Sequence, residues 1–208
     1  MKADGGGKET SRSADDIREL FEEHPSPNTT FGLHGIEIRL DPAIGTVTLP
    51  KDMAKHFPYE DDNDSRSLTA EEQAAQDLLF GKRADGTFAT FDETAVNVYF
   101  VNDIEGNPLG FGSTGGHIVM KDKTFGRTRK NDALILSHEF GHVFGLDHVC
   151  DEEDKVSEFN RTCSAEFKDT DPRYLMYPEG GAWIREGDQL TSDQSRRAFD
   201  NAAEWHDG

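Results

Sequence analysis

Cysteine is scarce in this sequence, which has only Cys150 and Cys163 among 208 residues. The two flank a short polar segment and do not form a CxxC pair. Oxidised, they would close a small loop that stabilises a fold by roughly 3 kcal/mol in the chain-entropy model, and would imply an exported protein. The alternative is two free thiols in a cytosolic protein. We expect the disulfide, and with it a secreted protein.

Long hydrophobic runs are also missing. No apolar stretch approaches the length that crosses a bilayer, and the first 24 residues are polar, without the hydrophobic region of a signal peptide. We therefore expect no membrane partner. Residues 1–12 include Gly5-Gly6-Gly7 among charged and small residues, which predicts a disordered leader. The remaining residues, 13–208, suit a single domain.

Basic residues are outnumbered, with 22 Lys and Arg against 41 Asp and Glu and a formal net charge of -19. A polyanion would be repelled by most of such a surface, so nucleic acid is not an expected partner. The acidity is compatible with salt adaptation, with calcium sites or with a solubilising surface, and we favour the last. Calcium remains possible but unsupported, because the acidic run at 60–64 matches no EF-hand loop.

Hydrophobic periodicity predicts alternating helical and extended segments. In the N-terminal half we expect a helix from Ser13 to His24, a strand pair or a strand plus turn within 31–50 (Ile36, Ile38 and Leu40, then Val47 and Leu49) and a helix at 67–80. A central strand at 94–101 and a strand at 117–120 follow. The last two expected elements are a helix capped by Asn131 or Asp132 and a closing helix capped by Thr191 or Ser192, with Ala198, Phe199, Ala202 and Trp205 on one face.

One stretch, from His138 to His148, carries recognisable chemistry. His138 and His142 are four residues apart, so a helix presents both imidazoles on one face, with Glu139 beside them. Catalytic zinc takes three protein ligands and a water. Gly145 can end the helix and turn the chain, which would bring His148 back to the same ion.

These residues resemble the metzincin zinc endopeptidases, whose extended pattern is HExxHxxGxxH followed by a Met-turn. The letters HEFGH and GLDH are most similar to those of the matrixins, and Leu175-Met176-Tyr177-Pro178 resembles the matrixin Met-turn. The resemblance implies an α+β fold with a twisted mixed sheet, mostly parallel with an antiparallel edge strand, an active-site helix, a Met-turn and a C-terminal helix. It divides the domain into an upper part, about 13–145, and a lower part, about 146–208.

The resemblance also assigns roles around the zinc site. Met176 would form an apolar floor beneath the metal, and Tyr177 and Pro178 a wall of the specificity pocket. The segment 115–120 would be the rim strand that pairs with extended substrate, which places Gly116, His117 and Ile118 in substrate binding. Two features depart from the matrixins. The segment between Cys150 and Cys163 lengthens the path to the Met-turn, and no cysteine precedes Cys150 to act as a latency switch.

The predicted function is a monomeric zinc endopeptidase that acts on proteins or peptides. One zinc ion would be held by His138, His142 and His148, and Glu139 would be the general base that takes a proton from water. A pseudoenzyme or binding module with a structural zinc is the alternative, and Cys150 is then the candidate fourth ligand. A zinc hydrolase acting on non-peptide amides is a third possibility.

Overall fold

Five helices and three strands make up the part of the chain that the structure describes. The computed structural model describes residues 12–22, 25–41, 44–45, 69–88, 90–104, 109–122, 129–146, 148, 175–176, 190 and 192–204. In chain order the elements are α1 (Ala14–Glu22), α2 (Pro27–Gly32), α3 (Ala70–Phe80), β1 (Asn97–Val101), β2 (Gly110–Ser113), β3 (His117–Lys121), α4 (Arg129–Val143) and α5 (Ser192–Glu204). The predicted α+β class is confirmed.

The three strands form one mixed sheet in the order β1-β3-β2. β1 and β3 run parallel, with Asn97 opposite His117, whereas β2 runs antiparallel to β3, with Gly110 opposite Met120. The prediction of a rim strand at 115–120 is therefore wrong. β3 is paired on both sides and four of its five residues are buried, as expected of an inner strand. The antiparallel border of the described sheet is β2.

α4 is buried on nearly every side. It packs against β2 and β3 and also against α1 and α2. Phe140 meets Phe21 edge to face, with ring centroids 6.1 Å apart, and Phe144 meets Phe31 in the same way at 5.1 Å. Such an enclosed helix holds its side chains in fixed positions.

The start of α4 differs from the prediction. The helix begins at Arg129, so neither Asn131 nor Asp132 is its cap. Asp132 instead lies buried in the first turn and binds the guanidinium of Arg12. The sequence assigned Arg12 to a disordered leader, yet its side chain is only 3% exposed. The boundary of the folded domain therefore includes Arg12, while the other leader residues, 1–11, lie outside the described part.

The N-terminal region is more helical than predicted. α1 begins where expected, because Ser13 and Asp16 exchange capping hydrogen bonds. α2 was missed, although Ser26 caps it and Pro27 occupies its first turn. Phe31, predicted to open a strand, belongs to α2. Residues 36–41 form no strand in the structure, and Val47 and Leu49 lie outside its described residues.

The predicted helix at 67–80 is confirmed as α3, and the closing helix as α5. α5 begins at Ser192 and buries Ala198, but Phe199 is 51% exposed, which corrects its predicted place in the buried face. Thr191 and Trp205 are outside the described residues. Among those that are described, no helix has the length and apolar character that crossing a bilayer demands.

Candidate metal centre and active site

Three histidine side chains converge at the C-terminal end of α4. His138 and His142 are one helical turn apart, and His148 follows the turn at Gly145, whose φ of 70° is left-handed. The Nε2 atoms of His138 and His148 are 3.0 Å apart, those of His142 and His138 are 3.2 Å apart, and those of His142 and His148 are 3.1 Å apart. The three nitrogens thus form a nearly equilateral triangle.

Main-chain carbonyls fix which nitrogen of two rings carries the proton. His138 Nδ1 lies 2.7 Å from the Leu175 carbonyl oxygen, and His142 Nδ1 lies 2.9 Å from that of Leu146. A carbonyl oxygen can only accept, so each Nδ1 must donate and each Nε2 of a neutral ring presents a lone pair. Two lone pairs 3.2 Å apart repel each other unless a cation lies between them. His138 and His142 are therefore arranged as metal ligands and not as hydrogen-bonded partners of each other.

The donor set suits zinc. Nitrogens bound tetrahedrally at about 2.05 Å lie roughly 3.3 Å from one another, close to the separations found here. Burial is the main cause that lowers the pKa of all three imidazoles to about 3, and the neighbouring histidines lower it further. The rings are consequently neutral at pH 7, as metal coordination requires. His138, His142 and His148 could hold a metal ion together.

Met176 packs against α4 at Gly141. It is fully buried, and a Cβ added at Gly141 would overlap its sulfur atom. Gly141 therefore leaves the space that the thioether occupies between the turns of His138 and His142. The preceding residue, Leu175, supplies the carbonyl that orients His138. Sequence reasoning selected Met176 but missed the Leu175 carbonyl, since no side-chain pattern marks a main-chain acceptor.

Glu139 is on the side of α4 that β2 covers, and 6% of its surface is exposed. Burial raises the pKa of its carboxyl group to about 8, and a hydrogen bond with the Gly112 backbone acts in the opposite direction. A Cβ at Gly112 would overlap the Glu139 carbonyl oxygen, and one at Gly110 would come within 3.2 Å of Glu139 Cγ. Two glycines on one face of β2 thus let the strand lie directly on the helix at Glu139.

The sequence contained a signal for this contact. Gly110 and Gly112 are two residues apart, so in a strand both face the same side, with Phe111 on the other. Alternating glycines in a short strand indicate a close approach of another backbone.

The residues predicted to bind substrate have other surroundings. Gly116 occupies a turn with φ of 82°, and Ile118 is completely buried within β3. His117 stacks on Phe80, with ring centroids 4.1 Å apart and planes 21° apart, and it is not part of the converging histidine group. His117 and Ile118 do not offer a free strand edge, because both lie in β3, which is paired on both sides.

Several predicted site residues lie outside the described part of the chain. They are Tyr177 and Pro178 of the specificity pocket, and Cys150 and Cys163 of the disulfide.

An α+β fold, a His-Glu-x-x-His helix and three converging imidazoles define a metallopeptidase of metzincin-like architecture. The family described as Metallo-peptidase family M12B, Reprolysin-like, matches residues 36–204, a range that contains all three histidines and Glu139. The chain belongs to this family. The match does not confirm the closer resemblance to the matrixins. Curated proteins gave no match in a sequence comparison, and solved structures gave none either.

Proposed function

We propose that this protein is a zinc-dependent endopeptidase in which His138, His142 and His148 hold one zinc ion and Glu139 is the general base. The convergence of three Nε2 atoms, two of them forced to be lone-pair donors by main-chain carbonyls, carries the proposal. The family supports it, because reprolysin-like metallopeptidases use zinc. When bound, zinc acidifies a coordinated water and polarises the peptide carbonyl.

Residues of the chain itself would orient the ligands and transfer the proton. The carbonyls of Leu175 and Leu146 hold the rings of His138 and His142 by their Nδ1 protons. Glu139 is protonated near neutral pH in the metal-free protein, where its pKa is about 8. A zinc ion held by the adjacent histidines would lower the pKa of Glu139 and so favour its carboxylate form. That carboxylate takes a proton from the attacking water and delivers it to the departing amine.

The substrate binds, in this proposal, along β2 and not along the segment that includes Gly116, His117 and Ile118. β2 is at the antiparallel border of the described sheet and lies against Glu139. An extended peptide added to this border would gain main-chain hydrogen bonds beside the general base. Tyr177 and Pro178 remain the proposed wall of the specificity pocket, and Met176 the apolar floor, as the matrixin-like letters imply.

The natural substrates are proteins or peptides, and we propose that the enzyme acts as a monomer outside the cell. Reprolysin-like proteases are typically extracellular, which supports this location. A disulfide between Cys150 and Cys163 would accord with it.

Replacing Glu139 with Gln tests the mechanism. Gln keeps the shape of the side chain but cannot accept the proton, so kcat/KM for an unfolded protein substrate should fall by about 10²- to 10⁴-fold. Zinc content, measured by metal analysis, should stay at one ion per chain. The control is Glu93→Gln, which alters an exposed glutamate paired with Lys82 and should leave both quantities unchanged.

Three outcomes would contradict the proposal. Absence of zinc in the carefully purified parent would remove the metal centre, and equal proteolysis by the parent and Glu139→Gln would remove the general base. Zinc binding without any cleavage by the parent, across a peptide library, would favour the pseudoenzyme alternative.

A further inference from the structure

The end of the zinc-binding helix is tied to a distant part of the chain. Asn201 of α5 donates a hydrogen bond from its side-chain amide nitrogen to the Phe144 carbonyl oxygen at 2.8 Å. Carbonyls at the end of a helix have no partner within the helix and need one from elsewhere. Asn201 supplies that partner from 57 residues away in sequence.

The contact depends on the absence of a side chain at Gly145. A Cβ there would lie 2.7 Å from the Asn201 amide nitrogen, too close for two nonbonded heavy atoms. The turn closes with two further hydrogen bonds, from the Gly145 N–H to the His142 carbonyl and from the Leu146 N–H to the Gly141 carbonyl, both 2.9 Å long. Asn201 therefore completes the hydrogen bonding of a helix end that only glycine can adopt without strain.

This turn affects the ring orientation of His142 and the position of His148. The Leu146 carbonyl, within the turn, accepts the Nδ1 proton of His142 and so orients its ring. His148 follows two residues later, and its Nε2 lies 3.1 Å from that of His142. A shift of the turn would therefore change the orientation of one ligand and the position of another.

We propose that Asn201 is a positioning residue for the metal centre, acting through the Phe144–Leu146 turn without touching the ion. The inference rests on the proposed zinc function and extends it to α5, an element that no metal-binding motif includes. The side-chain amide of Asn201 holds the turn in place, and the turn determines the ring orientation of His142 and the position of His148.

Asn201→Asp is the sharpest test, because it keeps the size of the side chain but replaces the donor with a carboxylate that repels the Phe144 carbonyl. Zinc affinity, measured by competition with a chromogenic chelator, should fall about tenfold or more, the usual effect of losing an outer hydrogen bond at a metal site. The matched controls are Asp200→Asn, at an exposed neighbour on α5, and the double variant Asp200→Asn/Asn201→Asp, which restores the net charge. Asp200→Asn should bind zinc like the parent, and the double variant like Asn201→Asp.

Asn201→Ala provides a second variant, since it removes the amide without adding charge and alanine favours the helix. In the zinc-free protein it should accelerate hydrogen exchange at the Gly145 and Leu146 amides while the amides of β3 keep the parent's rate. This measurement needs neither metal nor activity, so it reports on the turn alone.

A double-mutant cycle separates positioning from a general loss of stability. If Asn201 acts through the turn that places His148, the loss of zinc affinity caused by Asn201→Ala should shrink in a His148→Ala background. An equal loss in both backgrounds would overturn the inference for His148, and parent-like zinc affinity in both Asn201 variants would overturn it for both histidines. In either case zinc binding by the parent would leave the proposed function standing, whereas a parent that binds no zinc would overturn both.

Discussion

At the scale of single residues, burial determines the protonation state of the three converging histidines and of Glu139. His138, His142 and His148 are neutral because the protein interior disfavours their cationic forms, and main-chain carbonyls select the proton position of the first two. The same effect raises the pKa of Glu139 to about 8. Burial therefore places the three imidazoles in the neutral form that a metal ion requires and favours the protonated form of Glu139.

Tyr99 allows the effect of burial to be measured away from the histidines. Its side chain is 1% exposed, and its hydroxyl lies 3.3 Å from the Leu79 carbonyl and 3.2 Å from the Thr90 carbonyl. Burial raises the pKa of Tyr99 to about 12, above the value of about 10 in an unfolded chain. The folded state therefore holds this proton more tightly. The resulting stabilisation is complete below pH 10 and disappears as the pH rises from 10 to 12.

Tyr99→Phe should remove that pH dependence. Urea unfolding of the parent should lose, between pH 10 and 12, about 2 kcal/mol more stability than the variant loses. At pH 7 the variant should be less stable by about 1 kcal/mol, since one buried hydrogen-bonding group is absent. Parallel stability curves for the two proteins above pH 10 would contradict this assignment.

At the scale of elements, β2 contacts α4 at Glu139, so the strand proposed to bind substrate lies against the residue proposed as general base. Gly112 makes the approach possible because its Cα has no substituent on the side of Glu139. A methyl group there must displace either the strand or the helix. β2 and α4 therefore behave as one packed unit.

Gly112→Ala should disturb this unit. Overpacking of this kind costs about 1 to 3 kcal/mol, measurable by urea unfolding, and proteolytic activity should fall with it. Gly32→Ala is the matched control, because a Cβ at Gly32 in α2 meets no atom within 4 Å. Its stability should be unchanged or slightly increased. Equal effects of the two substitutions would show that β2 does not lie against Glu139.

The guanidinium of Arg12 contacts α4, the residue after β3, and β1. It binds Asp132 in α4, lies 3.3 Å from the carboxylate of Asp122 just after β3, and covers the ring of Phe100 in β1. All three charged side chains are at most 9% exposed. An ion pair in such surroundings depends on every member, because loss of one leaves buried charge uncompensated.

Arg12→Met should therefore destabilise the protein by about 3 to 5 kcal/mol in urea unfolding. Arg18→Met is the control, since Arg18 pairs with Asp15 on the exposed face of α1 and should contribute less than about 1 kcal/mol. A loss of the same small size in both variants would mean that residue 12 belongs to the leader, as the sequence alone suggested.

At the scale of the whole molecule, the net charge of -19 acts on stability through self-repulsion. Salt shortens the range of this repulsion, from about 10 Å at 0.1 M to about 3 Å at 1 M. The urea midpoint should consequently rise with sodium chloride over this range. Potassium chloride at equal ionic strength should have the same effect, and a midpoint that stays constant or falls would show that repulsion is not the dominant long-range term.

Local patterns accounted for the helices and for the choice of chemistry. The four-residue spacing of His138 and His142 is a property of one helix, and Gly145 is a property of one turn, so neither requires knowledge of the fold. The periodicities of α1, α3 and α5 were equally local. α2 was missed although its cap at Ser26 is also local, because the alternation of apolar residues in 31–50 predicts strands.

The sequence by itself determined which residue types are available for metal chemistry and which of them share a helical face. Only the tertiary structure decided that β2 and not β3 borders the sheet among the described strands, that Leu175 orients His138, that Arg12 is buried and that Asn201 contacts the turn after α4. The reason is physical. Helical spacing is set by bonds within a few residues, whereas strand order and the partners of buried polar groups arise from contacts between segments far apart in the chain.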